Sequence, residues 1–314
     1  MRLTNEASTI LSDAERMDLV GNLSALLGAG TLDGGRYLAA LEGLAADPEP
    51  MVVGSVLDSL TRVQRPFVPG DLEDEFAAYI RRALRPALDR VGLLPRDGES
   101  ETATLVRPRL LLWLGDDGRD PEIQRFAREQ AAAYLENPSS VAPSIAGACL
   151  ILASMDGSPQ DFEAMRRRFE SAETPTERAR YLQSLGAFQD PALVDRALDY
   201  AFSGRLRPNE LFTIPGNLTQ TPSGSDRAYR WMTENYSKLA ERLPAEFMGF
   251  MPFFAGGCSA ERLESARAFF GEPEHQANGA PRMIGRVSAQ VDECLALRAR
   301  EGDTVRGFLE GAES

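Results

Sequence analysis

Residues 174–236 read TPTERARYLQSLGAFQDPALVDRALDYAFSGRLRPNELFTIPGNLTQTPSGSDRAYRWMTENY, and this stretch carries the clearest signals of architecture in the chain. Its opening run, Thr174-Pro175-Thr176-Glu177, is a complete helix start. The threonine can cap the first free N–H groups, proline suits the first helical position, and the glutamate can reach back to the N–H of the cap. Asp190-Pro191 starts a second helix by the same device. Two helices joined this closely predict an αα-hairpin, the unit of a helical solenoid.

Outward from this hairpin, helix signals recur and strand signals are nearly absent. Gly204 is the expected stop of the second helix, and Ser12-Asp13-Ala14-Glu15 is a capping box near the start of the chain. Pro86 is expected to break or kink a helix over residues 72–91, because proline lacks the N–H and clashes with the preceding turn. Residues 283–309 read as a closing pair of helices.

Helix pairs recur at roughly 35–45 residues, which is in the range of HEAT-like repeats. We therefore predict an all-α fold, an irregular HEAT-like α-superhelix of paired antiparallel helices that forms a curved bowl. We expect residues 1–314 to form a single α-helical repeat domain.

Charge and cysteine content limit the possible partners and compartments. The net charge of -13 would repel a phosphate backbone and an anionic membrane surface, so we expect neither nucleic acid nor membrane as a partner. No stretch approaches the ~20 apolar residues of a membrane span. Cys149, Cys258 and Cys294 are odd in number and far apart, which favours reduced, buried thiols in a cytoplasmic protein over a disulfide framework.

The residues that could carry chemistry are sparse. His275 is the single histidine, so the H-E-x-x-H helix of zinc peptidases cannot form, and we expect no metal site and no catalytic residue here. We interpret His275 as a solvated loop residue and residues 116–120 as a turn that ends in the helix cap Asp120, rather than as part of a calcium loop. For the aromatic run at residues 247–254, core packing is favoured over an exposed patch for a partner.

Six motifs in order resemble those of a known family, and together they cover nearly the whole chain. They are Leu11-Ser12-Asp13-Ala14-Glu15-Arg16, Arg109-Leu110-Leu111, residues 174–185, Ala228-Tyr229-Arg230-Trp231-Met232 with Glu234-Asn235-Tyr236, residues 264–270 and residues 290–309. In this pattern and order the chain resembles the C-terminal helical domain of M1-family zinc aminopeptidases, of the endoplasmic-reticulum aminopeptidase type. The first tryptophan of the family's A-W helix is either shifted here or replaced by Tyr229, and Tyr236 stands where the family carries its N-W tryptophan.

The resemblance implies a non-catalytic domain that closes the substrate chamber of the enzyme and contacts the distal part of peptide substrates. Its partners would be the catalytic domain of the same aminopeptidase, which would hold the zinc, and the peptides themselves. Neither H-E-x-x-H nor the family's G-A-M-E-N occurs in these residues, so this chain alone should bind no cofactor and cleave nothing. The substrate-contact candidates are Arg205, Arg207 and Asn217, in the loop beside the second helical hairpin. The alternative is a free-standing helical-repeat scaffold for protein interaction.

Overall fold

A computed structural model describes residues 7–68, 70–202 and 205–311 of the chain. The described residues form helices and turns without a β-strand, which confirms the all-α prediction. Gly204, the expected helix stop, lies outside the described residues. Among the helices that the structure describes, none combines the length and the apolar character needed to cross a bilayer.

Seventeen α-helices follow one another in the described part of the chain. In order they are α1 Ala7–Ile10, α2 Asp13–Gly28, α3 Gly34–Ala45, α4 Pro50–Phe67, α5 Glu73–Val91, α6 Glu101–Gly115, α7 Pro121–Glu136, α8 Pro143–Met155, α9 Pro159–Ser171, α10 Pro175–Leu185, α11 Pro191–Ala201, α12 Thr213–Leu218, α13 Pro222–Glu234, α14 Tyr236–Arg242, α15 Ala245–Met248, α16 Ala260–Gly271 and α17 Ala280–Leu309. Short 3-10 helices lie at Pro138–Ser140, Pro208–Glu210, Met251–Ala255 and Pro273–His275.

The helix starts follow the local sequence signals closely. Complete capping boxes form at Ser12, Ser158 and Thr174, each with an acidic side chain three residues later. Asp120 and Asp190 accept hydrogen bonds from the first free N–H groups of α7 and α11, each with proline at the following position. These caps satisfy donors that have no partner within the helix, so they fix the starts of the helices locally.

α5 does not break at Pro86, where the sequence predicted either a break or a kink. The helix runs through Pro86 to Val91, and buried residues lie on both sides of the proline, including Leu84 and Leu88. A proline inside a helix costs about 3 kcal/mol, and burial of this apolar face stabilises the helix by more than that. The closing segment also differs from expectation, because α17 is one helix of 30 residues rather than a pair.

The chain divides into two compact units. One holds the described residues up to Ala153 together with those from Leu297 onward, and the other is Ser154–Ala296. The prediction of a single domain is not tested by this division and stays a prediction, as does the curved bowl.

The first unit is closed by the end of α17. Glu301 is buried and its Oε2 accepts a hydrogen bond from the N–H of Gly34, at 3.0 Å. A Cβ at Gly34 would lie 2.4 Å from the Val305 side chain, so glycine is required for this approach. Arg298 donates from Nε to the Pro66 carbonyl at 2.9 Å. The last helix is therefore built into the core formed by the start of the chain.

The turn between α6 and α7 contains a half-buried carboxyl group. Asp120 caps α7, as predicted for a turn, and Asp117 accepts a hydrogen bond from the Gln64 amide of α4. Burial and, to a lesser extent, the neighbouring charge of Asp116 together raise the pKa of Asp117 to about 7, although the hydrogen bond from Gln64 acts in the opposite direction. The folded chain therefore favours the protonated form of Asp117.

In the second unit the helix pairing departs from the predicted hairpin. The main partner of α10 is the preceding helix α9 rather than α11, and the short helix α12 contacts both α10 and α11. Gly186, just after α10, makes this approach possible, since a Cβ there would lie 3.0 Å from the Ile214 Cα. The sequence showed both helix starts but contained no local signal for α12.

The cysteine prediction was wrong for two of the three residues. Cys258 and Cys294, which are 36 positions apart in sequence, form a disulfide with their Cα atoms 5.5 Å apart. Spacing alone could not show this, because the pair meets only once α16 and α17 are in place. Cys149 is a free, buried cysteine as predicted, and burial raises the pKa of its thiol to about 12.

Candidate functional site

Two of the three predicted contact residues lie on the segment that follows α11. Arg205 and Arg207 are exposed, whereas Leu206 and Leu211 are buried. The leucines therefore anchor the segment, and both arginine side chains are directed to the surface. Residues 205–211, named the basic loop below, form a short cationic surface in a chain of strongly negative net charge.

The basic loop is held by an ion pair that sequence reasoning missed. Arg178 of α10 donates from Nε and Nη2 to the two carboxylate oxygens of Glu210, at 2.6 and 2.9 Å. The same Nη2 donates to the Arg205 carbonyl at 2.8 Å, and the Arg207 N–H donates to Glu210 Oε2 at 2.8 Å. Because a planar guanidinium makes this bidentate contact in one orientation, the pair fixes the backbone of the loop.

Packing reinforces the pair. The Arg178 guanidinium lies over the Phe169 ring of α9, 3.9 Å from its centroid. Only 16% of the Arg178 side chain and 13% of the Glu210 side chain are exposed. Partial burial raises the pKa of Glu210, but the hydrogen bonds from Arg178 and from the Arg207 N–H outweigh it, so the pKa lies below its ordinary value. Glu210 is therefore held as a carboxylate.

Asn217 does not share the loop with the two arginines. It lies within α12, and its Nδ2 donates to the Gln183 carbonyl near the end of α10, at 2.9 Å. Its side chain also faces Gly186 closely, since a Cβ there would lie 3.1 Å from Asn217 Nδ2. The amide thus joins α12 to α10, and the placement predicted in a loop was wrong. A role for Asn217 in substrate contact stays a prediction.

An aromatic surface follows the basic loop. Phe212, the residue after Leu211, stacks on Phe247 with ring centroids 6.4 Å apart and contacts Phe254 at 6.2 Å. Phe254 is buried, but Phe247, Phe250 and Phe253 are 40%, 57% and 54% exposed. We call these three exposed residues the aromatic patch. For them, the favoured prediction of core packing was wrong. They lie at every third position, so they share the outward side of this segment, and Phe253 is the one that lies in the 3-10 helix Met251–Ala255.

His275 is not the solvated residue that the sequence suggested. Its ring stacks on Phe269 at 3.7 Å and meets Tyr236 edge-on, and its Nδ1 lies 3.0 Å from the Phe269 carbonyl. Ligand atoms of Glu272, Glu274 and His275 lie within 4.8 Å of one another. A single imidazole whose Nδ1 lies at a backbone carbonyl, with two exposed carboxylates, does not match the three-ligand set of a zinc hydrolase.

Comparisons with known proteins agree on one family. Residues 1–292 match the model of the ERAP1-like C-terminal domain. The endoplasmic reticulum aminopeptidase 1 of Rattus norvegicus is 22% identical over 98% of this chain and 34% of its own length. Aminopeptidase N of Lactococcus lactis subsp. lactis is 23% identical over 90% of this chain and 35% of its own length. Aminopeptidase M1-C of Oryza sativa subsp. japonica is 24% identical over 60% of this chain and 22% of its own length. The chain thus spans about a third or less of these relatives.

Proposed function

The chain belongs to the ERAP1-like C-terminal domain family of M1 aminopeptidases, and from this membership we propose that it acts as the non-catalytic domain that closes the substrate chamber of such an enzyme. The match over residues 1–292 is the observation that carries the proposal. In this function the domain works with the catalytic domain of the same aminopeptidase and contacts the part of the peptide distant from the cleaved bond.

The potential metal ligands of this chain indicate which domain holds the zinc. A catalytic zinc needs three protein ligands and an open position for water. The cluster at His275 does not fit this need, because its single imidazole packs between aromatic rings and its Nδ1 lies at the Phe269 carbonyl. We therefore assign the metal and the bond cleavage to the catalytic domain.

The basic loop is the part of the surface best prepared for peptide contact. Arg205 and Arg207 are exposed, while the Arg178–Glu210 pair fixes the backbone that presents them. A cationic site on a rigid support loses less conformational freedom on binding than one on a free loop. The proposed ligand groups are acidic side chains, or the terminal carboxylate, at the distal end of a peptide.

The test is reconstitution with the separately produced catalytic domain of the same aminopeptidase. We expect no turnover from this chain alone, and a change on mixing that is larger for long than for short peptides with the same N-terminal residue. Replacing Arg205 and Arg207 together by alanine should raise the KM for long peptides by about fivefold, since an exposed charged contact contributes roughly 1 kcal/mol. Arg128→Ala, an exposed arginine on α7, is the matched control.

Two results would count against the proposal. Equal effects of mixing on short and long peptides would remove the role in peptide contact. No effect of mixing at all would favour the alternative, a free-standing protein-interaction scaffold. In that case the aromatic patch is the first surface to examine, because large exposed aromatic side chains are typical of interaction sites.

A further inference from the structure

The Cys258–Cys294 disulfide joins two elements that meet beside the aromatic patch. Cys258 lies in the turn between the 3-10 helix Met251–Ala255 and α16, one residue before the helix cap Ser259. Cys294 continues the apolar face of α17 formed by Val287 and Val291, which are buried. The bond therefore ties the turn that follows the patch directly to α17.

The turn has a second, non-covalent anchor. Arg262 of α16 donates from Nη2 to the Gly256 carbonyl at 2.6 Å and forms an ion pair with Asp226 of α13 through Nη1. Gly257 has a φ of +112°, and a Cβ there would lie 2.5 Å from Arg262 Nη2. The turn thus has a backbone conformation that glycine adopts readily and other residues rarely do, and Arg262 holds its Gly256 carbonyl in place.

The hydrogen bonds beside the turn depend on its shape. The Gly256 N–H donates to the Phe253 carbonyl at 3.0 Å and so ends the 3-10 helix that carries Phe253. On the other side, the Arg262 N–H donates to the Ser259 side chain at 3.2 Å and begins α16. Cys258 and Cys294 are both half-buried, so neither residue is enclosed in the core.

We propose that Cys258–Cys294 is a thiol-exchange site whose redox state controls the order of residues 251–263, which include part of the aromatic patch. The reductant is a dithiol. One of its thiolates attacks a sulfur of the pair, the S–S bond breaks and a mixed disulfide forms. The second thiolate then displaces the protein sulfur. Two electrons and two protons pass to the protein, leaving two cysteine thiols and the oxidised, disulfide form of the reductant.

With the disulfide reduced, the hydrogen bond from Arg262 to the Gly256 carbonyl remains, but the covalent link between the turn and α17 is lost. The 3-10 helix and the start of α16 then open more often, and the side chains of the aromatic patch become more mobile. This inference rests only on contacts within residues 226–294 and does not depend on the proposed aminopeptidase function.

The test is hydrogen exchange by mass spectrometry on the full chain, before and after treatment with dithiothreitol under native conditions. Labelling with a maleimide must show two added thiols, at Cys258 and Cys294. We expect peptides spanning residues 251–263 to exchange at least tenfold faster after reduction, with no change in peptides from α4. The Cys149→Ser chain should respond as the wild type does.

The double variant Cys258→Ser/Cys294→Ser should exchange quickly in residues 251–263 without any reductant, and exchange in α4 reports whether it is still folded. The inference is overturned if both thiols are labelled after reduction and exchange in residues 251–263 is unchanged. It is also overturned if the disulfide resists dithiothreitol until the chain is unfolded, because the pair would then be a permanent structural bond.

Discussion

Replacing Asp117 by asparagine should change how the stability of the chain depends on pH. In the folded state burial raises the pKa of this carboxyl from 3.8 to about 7. The folded chain therefore binds more protons than the unfolded chain between these two pH values. The contribution of Asp117 to the free energy of unfolding is fully present below about pH 4 and is lost as the pH rises through about 7. Converted by linkage, the loss is about 4 kcal/mol.

Asparagine is close in shape, cannot ionise, and offers the same oxygen to the Gln64 amide. The free energy of unfolding of Asp117→Asn minus that of the wild type should therefore rise by up to about 4 kcal/mol between pH 4 and pH 8. Urea unfolding at several pH values, followed by circular dichroism, gives this difference directly. Other carboxylates titrate equally in both chains and cancel.

Parallel stability curves for the two chains would refute the reasoning, since Asp117 would then titrate alike in the folded and unfolded states. Asp116→Asn is a useful control. It removes the neighbouring charge and leaves Asp117 buried. It should therefore reduce the pH dependence of stability only in part, because burial raises the pKa of Asp117 more than the charge of Asp116 does.

Three further outcomes test the second unit. Arg178→Ala should lower the free energy of unfolding by about 3 kcal/mol, because it leaves the partly buried Glu210 carboxylate without its ion-pair partner. Limited proteolysis should then cleave the basic loop, and Arg178→Lys should restore part of the protection. Replacing both Cys258 and Cys294 by serine should lower the free energy of unfolding, measured with urea, by about 4 kcal/mol, because the disulfide closes a loop of 36 residues and so reduces the entropy of the unfolded chain. A loss below about 1 kcal/mol would contradict that account. Phe250→Ser should change the free energy of unfolding by no more than about 0.5 kcal/mol, because the side chain is largely exposed, and it should reduce the binding of a hydrophobic dye. Phe254→Ser, at a buried site, should be strongly destabilising in urea unfolding.

Local chemistry is what the sequence predicted well. The caps at Ser12, Thr174 and Asp190 use side chains within three residues of the groups that they satisfy. Such contacts form whenever the helix forms, so their residue pattern is sufficient to predict them. The all-α class follows, because it is the sum of these local choices.

Contacts between distant positions were not predictable in the same way. Arg178 and Glu210 are 32 positions apart, and neither residue type is unusual on a helix surface. Phe253 and Phe254 are neighbours of similar chemistry, yet one is exposed and the other buried. Which of them faces the core depends on the orientation of a short 3-10 helix, and this is set by tertiary packing rather than by composition. The same limit applied to Cys258 and Cys294.

The hydrogen bond from Gly34 to Glu301 joins positions 267 residues apart. During synthesis on the ribosome, the acceptor for that N–H is therefore made long after its donor has left the exit tunnel. The inserted segment Ser154–Ala296 emerges before residues 297–311, so it can bury its own side chains while the first unit still lacks the end of α17. Until then the start of α3, at Gly34 and Gly35, lacks the α17 residues that pack against it, and apolar surface left open in this way makes a nascent chain prone to aggregation.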